Sequence, residues 1–573
     1  MPLCKYCQRD FEITTDYQAL HEKVSPHFAG QNFPFPLPSL CPDCRQQRRL
    51  SWRNERNLYK RLCDFSKKNI ISVYSPDKPY KVYDHEIWWS DQWDARSYGQ
   101  PFDFKRPFFE QFHELQLRVP RMNMILSHCE NSNYAPYSVT SRNCYMCVSV
   151  VGSEDIYYSY QTNASRDCVD CSLCYNCEIC LECIYGVHLY RCFHTNNCRD
   201  SSDLLFCRDC SGCDQCVGCV NLTKKRFHIF NSPVSETEYH EFIASLSQYS
   251  FLEKLSRQFR DFALRFPVRA SYNIQCEHVS GDHLLNCKNS RQCFEAEGLE
   301  DCSYIYTLPQ GAKDCFDAHY SPKSELVYEA MSAVKNYHSS FILHSWDLKH
   351  SYYTDECFYS SNLFGCIGLK KNEYCILNKQ YSKEQYENLV PRIMKHMMNI
   401  EYANQTASST ESIMTGSHQQ ASEWGEYFPT SHSLFAYNET IAPEFFPLKR
   451  EEVLKRGWQW REDTESTYSK QTYQLPDDSK NVSDTITSEI LSCRDCGRNY
   501  RIIPQELAFY RKLSLPIPRK CSNCRHKERM QFRAQRHIWK RMCFKCGREM
   551  ETTYSPDRSE KVYCESCYLK EIY

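Results

Sequence analysis

Twelve cysteines stand where a soft metal ion would want them. Four C-x2-C pairs lie within residues 493–567, namely Cys493/Cys496, Cys521/Cys524, Cys543/Cys546 and Cys564/Cys567, and two more, Cys4/Cys7 and Cys41/Cys44, open the chain. Tetrahedral zinc takes four thiolates, and each pair supplies two from one tight turn. Six pairs therefore predict three Cys4 sites and about three Zn2+ per chain. Disulfides and a redox C-x-x-C are the competing uses of this spacing.

The two ends of the chain indicate which pairs share a metal. From Cys41/Cys521 to Tyr83/Tyr563 they align at a constant offset of 480, with Arg45/Arg525, Arg49/Arg529, Arg53/Arg533, Arg56/Arg536, Lys60/Lys540, Arg61/Arg541 and Cys63/Cys543 in register. This reads as a duplicated module. Where the tail has Cys546, Cys564 and Cys567, the N-terminal copy has Ser66, Asp84 and Ile87. Cross-brace pairing would lose both N-terminal sites by those changes, whereas sequential pairing loses one. The expected sites are Cys4/Cys7/Cys41/Cys44, Cys493/Cys496/Cys521/Cys524 and Cys543/Cys546/Cys564/Cys567. Cys63 is left as a buried thiol, and Trp88, Trp89, Trp93 and the aromatic run at 102–109 take over where the metal is gone.

The pattern of C-x2-C, an aromatic residue, Phe509-Tyr510, Pro516 and Pro518, then C-x2-C-Arg resembles the zinc-ribbon family of short bacterial proteins. With a ribbon at each end, the whole arrangement resembles large cysteine-rich zinc-ribbon proteins of candidate-phyla bacteria. That resemblance covers about a quarter of the chain; it implies metal binding and carries no reaction.

Beside the cysteines run two basic stretches, Arg45, Arg49, Arg53, Arg56, Lys60 and Arg61, and Arg525, Arg529, Arg533, Arg536, Lys540 and Arg541. Leu50, Trp52, Leu58 and Tyr59 are interleaved in the first and Met530, Phe532, Ile538 and Trp539 in the second. Spacings of three and four predict a helix or short helical turns. Guanidinium forks and stacking rings suit RNA or a ribosome. The alternative is a row of arginines paired with acidic residues elsewhere in the chain.

These elements must be held by the middle of the chain, whose pattern is different. Fifteen cysteines between Cys144 and Cys219 are separated by multiples of three, including Cys168, Cys171, Cys174, Cys177, Cys180 and Cys183 in unbroken series. A helix would smear that period and a straight strand would alternate it. A winding backbone with frequent corners keeps it facing inward, so the middle reads as a β-solenoid, with a recurrence of 24 residues suggesting the rung. Residues 207–239 match 354–386 at an offset of 147, and each copy ends in a Ser-x-x-Glu/Gln box, Ser235/Glu238 and Ser382/Gln385, that starts a capping helix. The inward cysteines are expected to be small apolar fillers; zinc or iron-sulfur ligation and disulfides are the alternatives.

The 573 residues carry a net charge of -1 with 41% apolar side chains, which excludes a uniformly basic protein and leaves any nucleic-acid contact local. No apolar run spans a membrane, the N-terminus enters a cysteine pair at once, and the cysteine usage points to a reducing cytoplasm. No phosphate-binding loop, dinucleotide fingerprint or hydrolase motif occurs, so no enzyme is expected. The expected fold is multidomain and β-rich, with terminal zinc ribbons flanking a repetitive β-solenoid-like body with capping helices. The boundaries are an N-terminal ribbon module at 1–110, a connector at 111–142, solenoid halves at 143–270 and 271–400, a linker at 401–490 with an aromatic segment docked at 424–460, and a double ribbon at 491–573. The functional expectation is a zinc protein that contacts RNA or a ribosome through its arginines. The rivals are a protein-interaction scaffold and a metal-storing or redox-active protein.

Overall fold

The structure is a computed structural model describing all residues except 29, 309–310, 318–324, 332–334, 400–421, 463–467 and 573. In the body, every third residue from Ser138 to Cys219 is buried. Each is preceded by a residue in the left-handed region, with φ between 47° and 66°. Left-handed backbone is disfavoured for L-residues other than glycine, with Asn and Asp tolerating it best. Asn143, Asp155, Asp167, Asp170, Asn176, Asn197, Asp200, Asp203 and Asp209 accordingly occupy such corners. A corner every three residues turns the chain into a coil whose neighbours pair in parallel, Arg166 with both Glu154 and Glu178.

Coil spacing is 12 residues, as in the bond from Ser165 N–H to Ser153 Oγ across one coil. The expected rung of 24 is therefore two coils. The cysteine pattern reported the inward positions correctly but carried no information on how many sides close a turn. Four inward side chains fill each coil, and the space is tight. At Gly186 a Cβ would stand 2.7 Å from the Leu189 side chain and 3.2 Å from Cys174 Sγ.

The coils form two stacks. The first runs from the pair Leu126–Ser127 with Ser138–Val139 to Arg226–Ile229, and the second from Gly281–Leu285 to Glu373–Ile376. Each closes with a short antiparallel hairpin, Ile229 on Ser232 and Ile376 on Lys379. Each then enters a helix, Glu236–Ile243 or Lys383–Met398, through the expected capping box. A further helix, Tyr249–Ala263, lies on the flank of the first stack, with Phe259 on Phe206 and Phe262 on Phe230.

At both ends of the chain the same elements recur 480 positions apart. Helix Pro42–Leu50 corresponds to Ser522–Met530, and hairpin Tyr59–Leu62/Asn69–Ser72 to Trp539–Met542/Glu549–Thr552. Strand Val82–Tyr83 and helix His85–Trp89 likewise correspond to Val562–Tyr563 and Glu565–Ile572. Val82–Tyr83 pairs in parallel with Arg121–Met122, at the entrance of the first stack. Val562–Tyr563 pairs in the same way with Val268–Arg269, at the entrance of the second. The C-terminal module thus returns to a stack that began about 300 residues earlier.

The aromatic segment at 424–460 packs against the N-terminal module and on itself: Trp424 is buried and donates from Nε1 to Pro34 O, and Tyr437 stacks on Trp458. The linker expected at 401–422 falls outside the described residues but for Ser422. The stretch 468–490 is not a free linker. Asp477 caps the helix Tyr249–Ala263 through Tyr249 and Ser250, and Val482 and Ile486 are buried, because that helix leaves an apolar flank for them to cover. Among the described residues no helix is long and apolar enough to cross a membrane.

Candidate metal centres and the buried arginine rows

Three four-thiol cages assemble, with the membership expected from the sequence: Cys4/Cys7/Cys41/Cys44, Cys493/Cys496/Cys521/Cys524 and Cys543/Cys546/Cys564/Cys567. Within each cage all four sulfurs lie within 4.8 Å of one another. Cys7 to Cys41 is 3.7 Å, and Cys496 to Cys521 and Cys546 to Cys564 are each 3.8 Å. A tetrahedron with metal–sulfur bonds of about 2.3 Å has edges of about 3.8 Å, so the cages fit a thiolate-bound metal. Backbone prepares them for it. Burial pushes the Cys493 thiol up, but N–H groups from Cys521, Cys496 and Asp495 outweigh it and bring it down to about 6. Cys543 is likewise brought down to about 6, by Cys564, Cys546 and Lys545 against burial.

The site lost from the N-terminal module keeps its backbone. Asp84 N–H points at Cys63 Sγ from 3.3 Å, as Cys564 N–H points at Cys543 Sγ from 3.3 Å. Cys63 is buried beside Trp88, Tyr83 and Val82. Aromatic packing stands where three ligands are missing, as expected.

The cysteines of the stacks are a different kind of group. Cys147 Sγ lies 3.3 Å from Tyr145 O in its own coil and 3.1 Å from Ile156 O in the next. Ser153 Oγ has the same two carbonyls in reach of its one proton, Val151 O at 3.0 Å and Thr162 O at 3.1 Å. Such a thiol can donate its one proton to a carbonyl on either of two coils, and a serine hydroxyl can do the same there. Desolvation raises the Cys147, Cys174 and Cys180 thiols well above the usual range, whereas hydrogen bonds from neighbouring thiols bring Cys177 down to about 5 and Cys219 to about 4. Among the described residues, the groups with metal-binding geometry are the three terminal cages alone.

The arginine rows are not the surface expected of them. In the tail, Arg525 and Arg529 each reach Asp170 at 2.8 Å, and Arg533 and Arg536 reach Glu295. In the N-terminal module Arg45 and Arg49 share Asp317, at 2.8 and 3.3 Å, and Arg53 pairs with Glu55 and donates to Ser149 Oγ. All seven are buried. Arg56 donates to Asn523 Oδ1 of the other module, Arg61 pairs with Asp64, and Arg541 donates to Ser555 O. Lys60 and Lys540 are exposed, the latter 3.5 Å from Glu549. Seven of the twelve basic residues expected at a nucleic-acid surface are thus turned inward, whereas Arg56, Arg61 and Arg541 are half-buried and Lys60 and Lys540 exposed. The helical turns put the guanidiniums inward because the stacks place carboxylates opposite them.

Those carboxylates were missed by sequence reasoning, although a signal existed. Asp170 and Asp317 stand 147 positions apart, the offset already seen within the body, while Arg525 and Arg45 stand 480 apart. Module and stack are crossed: Arg45 docks on the second stack and Arg53 on the first, whereas Arg525 docks on the first and Arg533 on the second. Each arginine row straddles both stacks and ties them together. The stacks also touch directly, with Tyr185 on His283 at 3.7 Å between ring centres and Tyr137 on His344 at 6.0 Å.

No protein-family model, curated protein or solved structure matches the chain.

Proposed function

We propose that this chain is a non-enzymatic, zinc-stapled interaction scaffold, which presents the outer faces of two clamped solenoid stacks to a protein partner. The observation that carries this reading is the burial of Arg45, Arg49, Arg525 and Arg529 on Asp317 and Asp170. Charges spent on holding the molecule together are withdrawn from phosphate contact. Zinc suits the role. Cys41 and Cys521 are the N-cap residues of the two arginine helices, so a metal at each cage fixes the helix that carries the clamp. A closed Cys4 site offers structure rather than an open coordination position, and a reducing cytoplasm suits so many free thiols.

The test is twofold. Elemental analysis of the purified chain should give about three zinc per molecule, and the folded chain should show no salt-sensitive retention on immobilised RNA at about 50 mM salt. RNA retention that falls steeply as salt rises would overturn the scaffold reading in favour of an RNA partner.

A further inference from the structure

A cleft of about 770 Å³ opens where the N-terminal module leans on both stacks. Its walls come from three places: the helix His85–Trp89 with the segment after it, the first coil of the first stack at Ser127 and His128, and the second stack at Trp346, Tyr359 and residues 370–372. Its size is within the range of small-molecule sites, about 300–1,000 Å³.

One wall is aromatic. Trp346 packs at a tilt of 51° against Phe358 of the next coil at 4.0 Å, Trp89 lies 4.8 Å from Phe358 and 6.2 Å from Trp346, and Tyr359 is 52% exposed. Trp89 and Trp346 are half-buried, and both line the cleft. The fold does not require this wall, as the other module shows. Trp88 and its counterpart Tyr568 are both buried and structural. The counterparts of Trp89, Trp346 and Tyr359, at offsets of 480 and 147, are Leu569, Arg199 and Gly212. Exposed aromatic surface thus stands at one of two equivalent places, and it is the place without the third metal cage.

Charge decides what the cleft takes. Glu86, Asp91 and Asp94 face Arg96, Lys370 and Lys371. Arg96 is held by Asp94 at 2.8 Å, and the Lys370 ammonium donates to Trp88 O and Ser90 O at 2.8 and 2.9 Å. That ammonium lies 5.2 and 5.3 Å from the Trp88 and Trp93 ring centres, so the indole box that would suit a cationic ligand already holds a lysine. A balanced cleft selects no net charge. It offers flat apolar faces beside carboxylates, the imidazoles of His85 and His128 and the Asn372 carboxamide, which together accept and donate.

We propose that this cleft binds a neutral oligosaccharide, with the apolar faces of successive sugars on Trp89, Trp346 and Tyr359 and their hydroxyls on Glu86, Asp91 and Asn372. Titration calorimetry of the full chain with cellotetraose, maltotetraose and chitotetraose tests it. At least one should bind saturably with a Kd of about 10 μM to 1 mM. Tyr359→Ala should weaken that sugar by about tenfold or more at unchanged melting temperature, because the ring is exposed, and Asp91→Asn should weaken it further. No saturable binding of any of the three sugars at about 10 mM would overturn the proposal. So would binding of choline in place of the sugars, or sugar binding indifferent to both substitutions.

Discussion

Asp170 and Arg525 lie 355 positions apart and meet at 2.8 Å with both side chains shielded from water. Arg529 takes the second carboxylate oxygen at the same distance. Removing one partner of a buried pair strands the other charge, at about 3–5 kcal/mol. Asp170→Asn should therefore lower unfolding free energy by about that amount, and Asp317→Asn should do the same at the other module. Replacing Asp170, Arg525 and Arg529 together with apolar residues of similar size should restore most of the loss, because no buried charge is left unpaired. Denaturant melts measure both. An Asp170→Asn variant within about 0.5 kcal/mol of the parent would mean that the clamp does not hold the stacks.

Metal removal should act through the same clamp. Stripping the three cages with a chelator releases the N-cap residues Cys41 and Cys521, and the arginine helices lose their fixed starts. Hydrogen exchange should rise first in the helices Pro42–Leu50 and Ser522–Met530 and in the hairpin Trp539–Met542/Glu549–Thr552 that carries Cys543 and Cys546, while the hairpin Tyr59–Leu62/Asn69–Ser72, which has no cage, and the interiors of the stacks stay protected. Uniform exchange across the chain would contradict that order.

Inside the stacks, cysteine and serine should be interchangeable. Cys147→Ser keeps both carbonyl contacts, as Ser153 shows six residues later, and should cost under about 1 kcal/mol. Cys174→Leu should cost about 1–3 kcal/mol by overpacking a coil that Leu189 already crowds at Gly186. If Cys147→Ser unfolded the protein or released bound metal, the thiols would be ligands rather than filling.

Acid sensitivity has an identifiable contributor. His432 stacks on His113 at 4.5 Å, and burial, aided by the neighbouring imidazole, brings His432 down to about 4. A lowered histidine contributes stability that is present above its unfolded pKa of about 6.5 and is lost as pH falls toward 4. His432→Phe should flatten the fall in melting temperature between pH 6.5 and 4 and leave the value at pH 8 nearly unchanged. An identical pH profile would exclude this pair.

Much of this architecture was legible because the chain repeats itself. The loss of Cys546, Cys564 and Cys567 at the other end gave the pairing of the cages, and the triplet lattice of Cys168 to Cys183 gave the solenoid. The partners of the arginines were hidden for a physical reason. A buried ion pair needs one carboxylate at one point in space, and Asp170 or Glu295 looks in sequence like any corner acid of the coil. Coil length was hidden too, since inward side chains mark corners and not the closure that Arg166 makes with Glu154 and Glu178.

The parallel pairing of Val562–Tyr563 with Val268–Arg269 sets an order on biosynthesis. The first stack meets its module before its own coils are made, so it has its entrance covered as it emerges. The second must wait for nearly 300 further residues, which at about 5–20 residues per second is tens of seconds. Throughout that interval its first coil presents an open backbone edge, and a nascent chain in this state is the one that chaperones would have to shield.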